Sequence, residues 1–272
     1  MFFKAKDYVT AGNAICGLSG VICILQTAVP MSMRERVFYA GTFILVSWIF
    51  DALDGVVARL TNTYNKFGGE FDNMCDHLTC GICPGFIVYG VYSEWMPGAG
   101  LQPVILACLV GFVLPMTATI RHSLYTVKPI KVTGFWIGMP RPTSAFFTVA
   151  YFNSTLFYEM GDVGYWLGII LVVSLGAANV GSFPYLSHHQ HVWKKWVGPL
   201  MSFHLIVCGI LLILGPLLHL FGWALVPKEW FFDGILFICS GYSLFQRYGI
   251  PKEHLDNARA AIAEWKAKPD PT

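Results

Sequence analysis

Eight apolar runs, at about residues 8–29, 37–59, 69–93, 102–122, 143–159, 163–184, 197–221 and 230–248, take up most of this chain and decide what it can fold into. About 20 predominantly apolar residues in a helix cross a bilayer's hydrocarbon core. Backbone polar groups in that core must bond within their own segment, which leaves helices as the way to span it. The expected fold is therefore all-α, a polytopic membrane helix bundle. Composition agrees, with 55% hydrophobic and 12% charged residues, where soluble domains carry about 25% charged. A formal charge of +2 supplies none of the dense basic surface that phosphate backbones require, so no nucleic-acid partner is expected.

The placement of the remaining charge orients the bundle. With the N-terminus inside, every Lys and Arg except Arg34, Arg36 and Lys228 falls on one side, which the positive-inside rule makes the cytoplasmic one. The expected protein is thus a multi-pass integral membrane protein. Its first apolar segment is retained, since no small-residue cleavage pattern follows Met1 to Asp7. Cys16, Cys23, Cys108, Cys208 and Cys239 lie inside apolar runs and are expected to be reduced. Cys80-x-x-Cys83 has no second pair to complete a zinc site, and His188, His189 and His191 beside Lys194 and Lys195 read as a solvated loop. Leu255, Ala258, Ile262 and Trp265 share one helical face among charges, the pattern of a helix lying on the membrane surface.

Between Phe50 and Pro84 the chain concentrates its acids. Asp51 and Asp54 are three apart and Asp72 and Asp76 four apart, so each pair shares one face of a helix. Two such pairs on adjacent helices make a pocket of four carboxylates. That concentration is costly unless a divalent cation sits in it, and all-oxygen ligation favours Mg²⁺ or Mn²⁺. Gly55, Ala58 and Gly68 leave the neighbouring faces without bulk, and Arg59 adds a fixed cation. Carboxylates, a hard metal, a guanidinium and a bare surface suit a nucleotide diphosphate. Asp7 and Thr10 read either as helix caps or as part of this site. Asn13, one turn further in, needs a partner, which is either a substrate phosphate or the backbone of a neighbouring helix. In the following basic loop Lys128 and Lys131 read as attraction for anionic lipid, while Arg121, at a helix end, reads as a contact for a substrate phosphate or carboxylate.

Asp51-x-x-Asp54-Gly55-x-x-Ala58-Arg59, eight residues, then Gly68-x-x-x-Asp72-x-x-x-Asp76 matches the signature of the CDP-alcohol phosphotransferases at every fixed position. The chain also resembles the integral-membrane phosphatidylserine synthases of that family, at Asp7 to Gly17, Ala58 to Thr63, Gly81 with Pro84, and Ile137 to Pro140 with Pro142. The likeness covers most of the first 190 residues. His77, Cys80 and Arg141 depart from the family pattern near the acceptor side. The resemblance implies a six-helix catalytic core at 1–190, to which the seventh and eighth apolar runs add two transmembrane helices at 191–248 and the charged end a cytoplasmic tail at 249–272. It implies transfer of a phosphatidyl group from CDP-diacylglycerol to an alcohol, with CMP leaving. Asp51, Asp54, Asp72 and Asp76 then bind Mg²⁺ or Mn²⁺, and Asp76 is also the base. Asn13, Asp54, Gly55, Ala58, Arg59 and Gly68 bind the CDP-lipid. The acceptor that fits both likeness and charge is L-serine, held by Arg121 and Arg141, with choline, inositol and glycerol phosphate as alternatives. A homodimer in a prokaryotic inner membrane, with its site facing the cytoplasm, completes the expectation. A reading of another class, a cation transporter using the membrane acids, requires acids on a continuous path near the bilayer centre, and these cluster at one edge.

Overall fold

The computed structural model describes residues 3–63, 65–98, 100–187, 215, 218, 219, 221–223 and 227–269. Most of the seventh apolar run and His188, His189 and His191 lie outside the described residues. Helices make up nearly all of the rest: α1 (Ala5–Leu25), α2 (Met33–Thr61), α3 (Lys66–Asp76), a π-helical turn (His77–Ile82), α4 (Cys83–Trp95), α5 (Leu101–Gly111), α6 (Val113–Val127), α7 (Arg141–Asn153), α8 (Thr155–Glu159), α9 (Asp162–Val180), α10 (Lys228–Phe245) and α11 (Lys252–Ala267). Four helical stretches, 5–25, 66–95, 101–127 and 162–180, are long and apolar enough to cross a bilayer. α2, at 29 residues, is about 43 Å long at 1.5 Å per residue, which also exceeds a hydrocarbon core. The chain is an all-α membrane bundle.

Local sequence sets where these helices begin and end. Ser32 and Glu35 form a reciprocal cap at the start of α2, Ser32 Oγ accepting from the Glu35 N–H at 3.3 Å and Glu35 Oε2 from the Ser32 N–H at 2.8 Å. α2 stops at Asn62, which takes φ +51°, a left-handed value that asparagine tolerates. Asn65 then caps α3 through the Gly68 N–H. The π turn arises where the helix approaches Pro84, which has no N–H to give; the Cys83 N–H reaches back five residues to Leu78 O. The apolar run at 143–159, expected as one span, is instead broken at Ser154, whose extended backbone separates α7 from α8 and whose hydroxyl caps α8.

One apolar core joins α1, α2, α4, α7, α8, α9 and α10 around the buried side chains of Ile44, Tyr92, Val149, Phe152, Phe157, Val172 and Phe232. α1 lies close against the π turn because Gly17 has no side chain: a Cβ there would sit 2.8 Å from Thr79 Cα. α10 is fixed to α8 by Asp233, which accepts from the N–H and hydroxyl of Thr155 at 2.9 and 2.6 Å.

A second, smaller core lies at the end of the bundle that carries the acids. There β1 (Phe135–Ile137) pairs antiparallel with β2 (Pro184–Leu186), in the register Phe135 to Leu186, Trp136 to Tyr185 and Ile137 to Pro184. α11 packs on this sheet, with Ala258 and Leu255 against Phe135, Leu186 and Ile250. The amphipathic face expected to rest on lipid is thus turned to protein, because the two strands offer it an apolar surface; Ala258 and Ile262 are buried.

Candidate active site

The acid pocket forms where the last turns of α2 meet α3 and the π turn, and α1 closes it from the side. Oxygens of Asp51, Asp72 and Asp76 all come within 4.8 Å of one another. Asp72 Oδ1 is buried and has no hydrogen-bond partner among the described residues. Three half-buried carboxylates facing one another, one with an oxygen left bare, are a donor set for a hard divalent cation. Asp54 is buried beside this group and accepts from the Thr10 hydroxyl at 2.5 Å, so it is turned toward α1.

α1 supplies more of the pocket than capping would require. Asp7 does cap, since the Lys4 N–H donates to its Oδ2 at 2.7 Å, but Thr10 donates across to Asp54 and to Lys6 O. Asn13 Nδ2 donates to Asp76 Oδ1 at 3.0 Å, while Asn13 O accepts from the Thr79 hydroxyl at 3.0 Å. In the structure the Asn13 amide thus meets a carboxylate of the acid pocket, a partner not among those expected. Asn13 Oδ1 is buried and has no hydrogen-bond partner among the described residues.

The small residues divide by surroundings. Gly55 is open, with only Arg59 Nη1 at 3.7 Å from where its Cβ would stand, and Arg59 itself is exposed on the last turn of α2. Ala58 is buried. Gly68 is occupied from α1: Lys6 Nζ donates to Gly68 O at 3.0 Å, and a Cβ on Gly68 would meet Lys6 and Asp7. Lys6, buried and 3.5 Å from the Asp7 carboxylate, is a site residue that sequence reasoning missed. Its spacing to the motif carried no signal, because α1 and α3 meet only in the fold.

The two acceptor arginines are also separated. Arg141, at the start of α7, donates to Asn73 O and Asn73 Oδ1 at 3.2 and 3.3 Å, one residue from Asp72. It is near enough for its charge to act on Asp51, Asp72 and Asp76. Arg121 Nη1 is engaged instead with two carbonyls, Ile137 O at 2.5 Å and Asn179 O at 2.9 Å, tying α6 to β1 and to the end of α9. Gly138 follows with φ +70°, and a Cβ there would run into Arg121 and the carbonyls of Asn179 and Gly181. His77, directly after Asp76, has its Nε2 3.2 Å from the Thr119 hydroxyl.

Comparison with known proteins places this geometry. A family model described as CDP-alcohol phosphatidyltransferase matches residues 7–173, from α1 through most of α9. The chain belongs to this family. Curated relatives named CDP-diacylglycerol–serine O-phosphatidyltransferase include one from Methanocaldococcus jannaschii, 27% identical over 191 residues, 69% of this chain and 76% of that protein. One from Helicobacter pylori is 31% identical over 169 residues, 58% of this chain and 68% of its own. One from Bacillus subtilis is 28% identical over 134 residues, 49% and 67% respectively. As a CDP-alcohol phosphatidyltransferase the chain is a membrane-bound transferase, and the match spans Asp51, Asp54, Asp72, Asp76 and Arg141.

Proposed function

We propose that the chain transfers the phosphatidyl group of CDP-diacylglycerol to the hydroxyl of L-serine, forming phosphatidylserine and CMP. The observation that carries this reading is the meeting of Asp51, Asp72 and Asp76 within 4.8 Å, beside the Arg141 guanidinium, which rests on Asn73, in a member of this family whose relatives bear the serine transferase name.

Asp51, Asp72 and Asp76, with Asp54 behind them, are the residues that would hold Mg²⁺ or Mn²⁺. A bound divalent cation would neutralise the donor's diphosphate and the departing CMP. The chain's own groups do the remaining work. Gly55, with Arg59 beside it, gives the nucleotide an open face on α2, and Lys6 adds a buried cation. Asn13 fixes Asp76 by holding Oδ1, which leaves Oδ2 to accept the proton of the attacking hydroxyl. The serine Oγ–P bond forms as the bond from phosphorus to CMP breaks, and the proton passes to Asp76. Arg141 is placed to take the carboxylate of serine through its planar fork. Arg121 stands behind it, its Nη1 already committed to backbone. Choline, inositol and glycerol phosphate fit less well, since none presents a carboxylate to a single guanidinium.

The asymmetry of Lys and Arg supports a site that opens to the cytoplasm of a prokaryotic inner membrane, and the family resemblance supports a homodimer. The same likeness supports a catalytic core at 1–190, and the apolar runs beyond it support the addition of 191–248 and 249–272. The test is CMP release from CDP-diacylglycerol by the purified protein, offered serine, choline, inositol and glycerol phosphate in turn. Release with serine alone is expected. Release with another acceptor and not with serine would keep the transferase chemistry and discard the serine reading.

A further inference from the structure

The two-stranded sheet that leads into Arg141 is held from behind by α11, which lies beyond the matched 7–173 stretch. Trp265 is the centre of that hold. Its Nε1 donates to Lys128 O at 3.2 Å, and its ring stacks on Tyr125 with centroids 6.0 Å apart and planes 28° from parallel. Lys128 Nζ in turn donates to Lys268 O at 2.7 Å. Tyr125 lies under the guanidinium of Arg121, 5.0 Å from its centroid, and Arg121 grips Ile137 O, the last carbonyl of β1. From there the Gly138 N–H reaches Phe183 O at 2.8 Å and the Met139 N–H reaches Ala178 O at 2.9 Å, two residues before Arg141. The apolar side of α11 adds to this, with Ala258 and Leu255 packed on Phe135 and Leu186, one from each strand.

We propose that α11 is a positioning clamp, in which Trp265 acts through Tyr125, Arg121 and the end of β1 to fix Arg141 for the acceptor. It rests on the reading that Arg141 receives the serine carboxylate. A clamp matters here because the arginine's own bonds, at 3.2 and 3.3 Å, both run to the single residue Asn73, so the place of its guanidinium also depends on the backbone that carries it. A misplacement of about 1 Å in such a group costs on the order of a hundredfold. Trp265 touches no reacting atom, so its effect is confined to the acceptor side.

The test is steady-state kinetics on full-length variants. Trp265→Ala is expected to raise the KM for serine about tenfold and that for CDP-diacylglycerol less than twofold, a partial misplacement by the same measure. Added to Arg141→Ala, it is expected to raise the serine KM no further, because residues acting as one unit are not additive. Trp265→Phe keeps an aromatic ring to stack on Tyr125 but removes the N–H and part of the indole's area, and is expected to give a smaller rise confined to serine. Equal rises in both KM values, no rise, or a full tenfold increment on top of Arg141→Ala overturns the clamp. Should Trp265→Ala not yield folded protein, an unchanged serine KM in Trp265→Phe assigns α11 to stability alone and overturns it as well. Arg141→Ala by itself separates the two claims: a flat serine KM there removes the acceptor role beneath the proposal, whereas a raised one with a flat Trp265→Ala refutes only the clamp.

Discussion

Replacing Asn13 by alanine separates two roles that its sequence context alone leaves together. Asn13 stands among residues expected to bind the CDP-lipid, yet its amide donates at 3.0 Å to Asp76 Oδ1. A hydrogen bond to a charged group contributes about 1.5–3 kcal/mol, and each 1.4 kcal/mol is about tenfold. If that bond serves to orient the base, Asn13→Ala lowers kcat about ten- to hundredfold, while the KM for CDP-diacylglycerol stays within about twofold, since binding and turnover then part company. The assay is initial rate of CMP release with each substrate varied at saturation of the other. In an Asp76→Asn background the same substitution is expected to cost little more, because there is no longer a base to orient. A raised KM for CDP-diacylglycerol at unchanged kcat would return Asn13 to the nucleotide site and refute the orienting role.

Three further outcomes follow from the same pocket. Arg141→Ala is expected to raise the serine KM about ten- to hundredfold, the worth of a charge-assisted pair, with Arg141→Lys in between because it keeps the charge and loses the fork; equal effects on both substrates would remove the acceptor role. Chelation is expected to abolish turnover and Mg²⁺ or Mn²⁺ to restore it, since Asp51, Asp72 and Asp76 lie too close to remain charged together without a cation; full activity after metal stripping would contradict this. Asp76→Asn is expected to keep CDP-diacylglycerol binding, measured by calorimetry, and to lose most turnover, because an amide preserves shape but accepts no proton; near-normal turnover would reassign the base.

Much of this was legible in the sequence, for definable reasons. The spacings of Asp51 with Asp54 and of Asp72 with Asp76 set faces of helices, and helical periodicity is local, so the acid pocket followed from them. What periodicity does not carry is which helix closes the pocket. Thr10, Asn13 and Lys6 reach Asp54, Asp76 and Gly68 across 44, 63 and 62 positions, contacts that depend on how Gly17 lets α1 approach the π turn. The strands β1 and β2 have three residues each, too short for an alternating pattern to show, and so the face of α11 had no visible partner but lipid. Arg121 and Arg141 looked equivalent as guanidiniums at one edge; only the fold distinguishes the one that grips Ile137 O and Asn179 O from the one beside the acids.

The central claim is that a serine hydroxyl attacks phosphorus with Asp76 taking its proton. The most direct measurement supplies the purified protein with CDP-diacylglycerol, Mn²⁺ and serine carrying ¹⁸O in its hydroxyl, and follows the label by mass spectrometry in lipid and nucleotide. The account predicts one ¹⁸O in each phosphatidylserine formed, CMP free of label, and loss of both products in Asp76→Asn. Label in CMP, or CMP formed with no labelled phosphatidylserine, would contradict it.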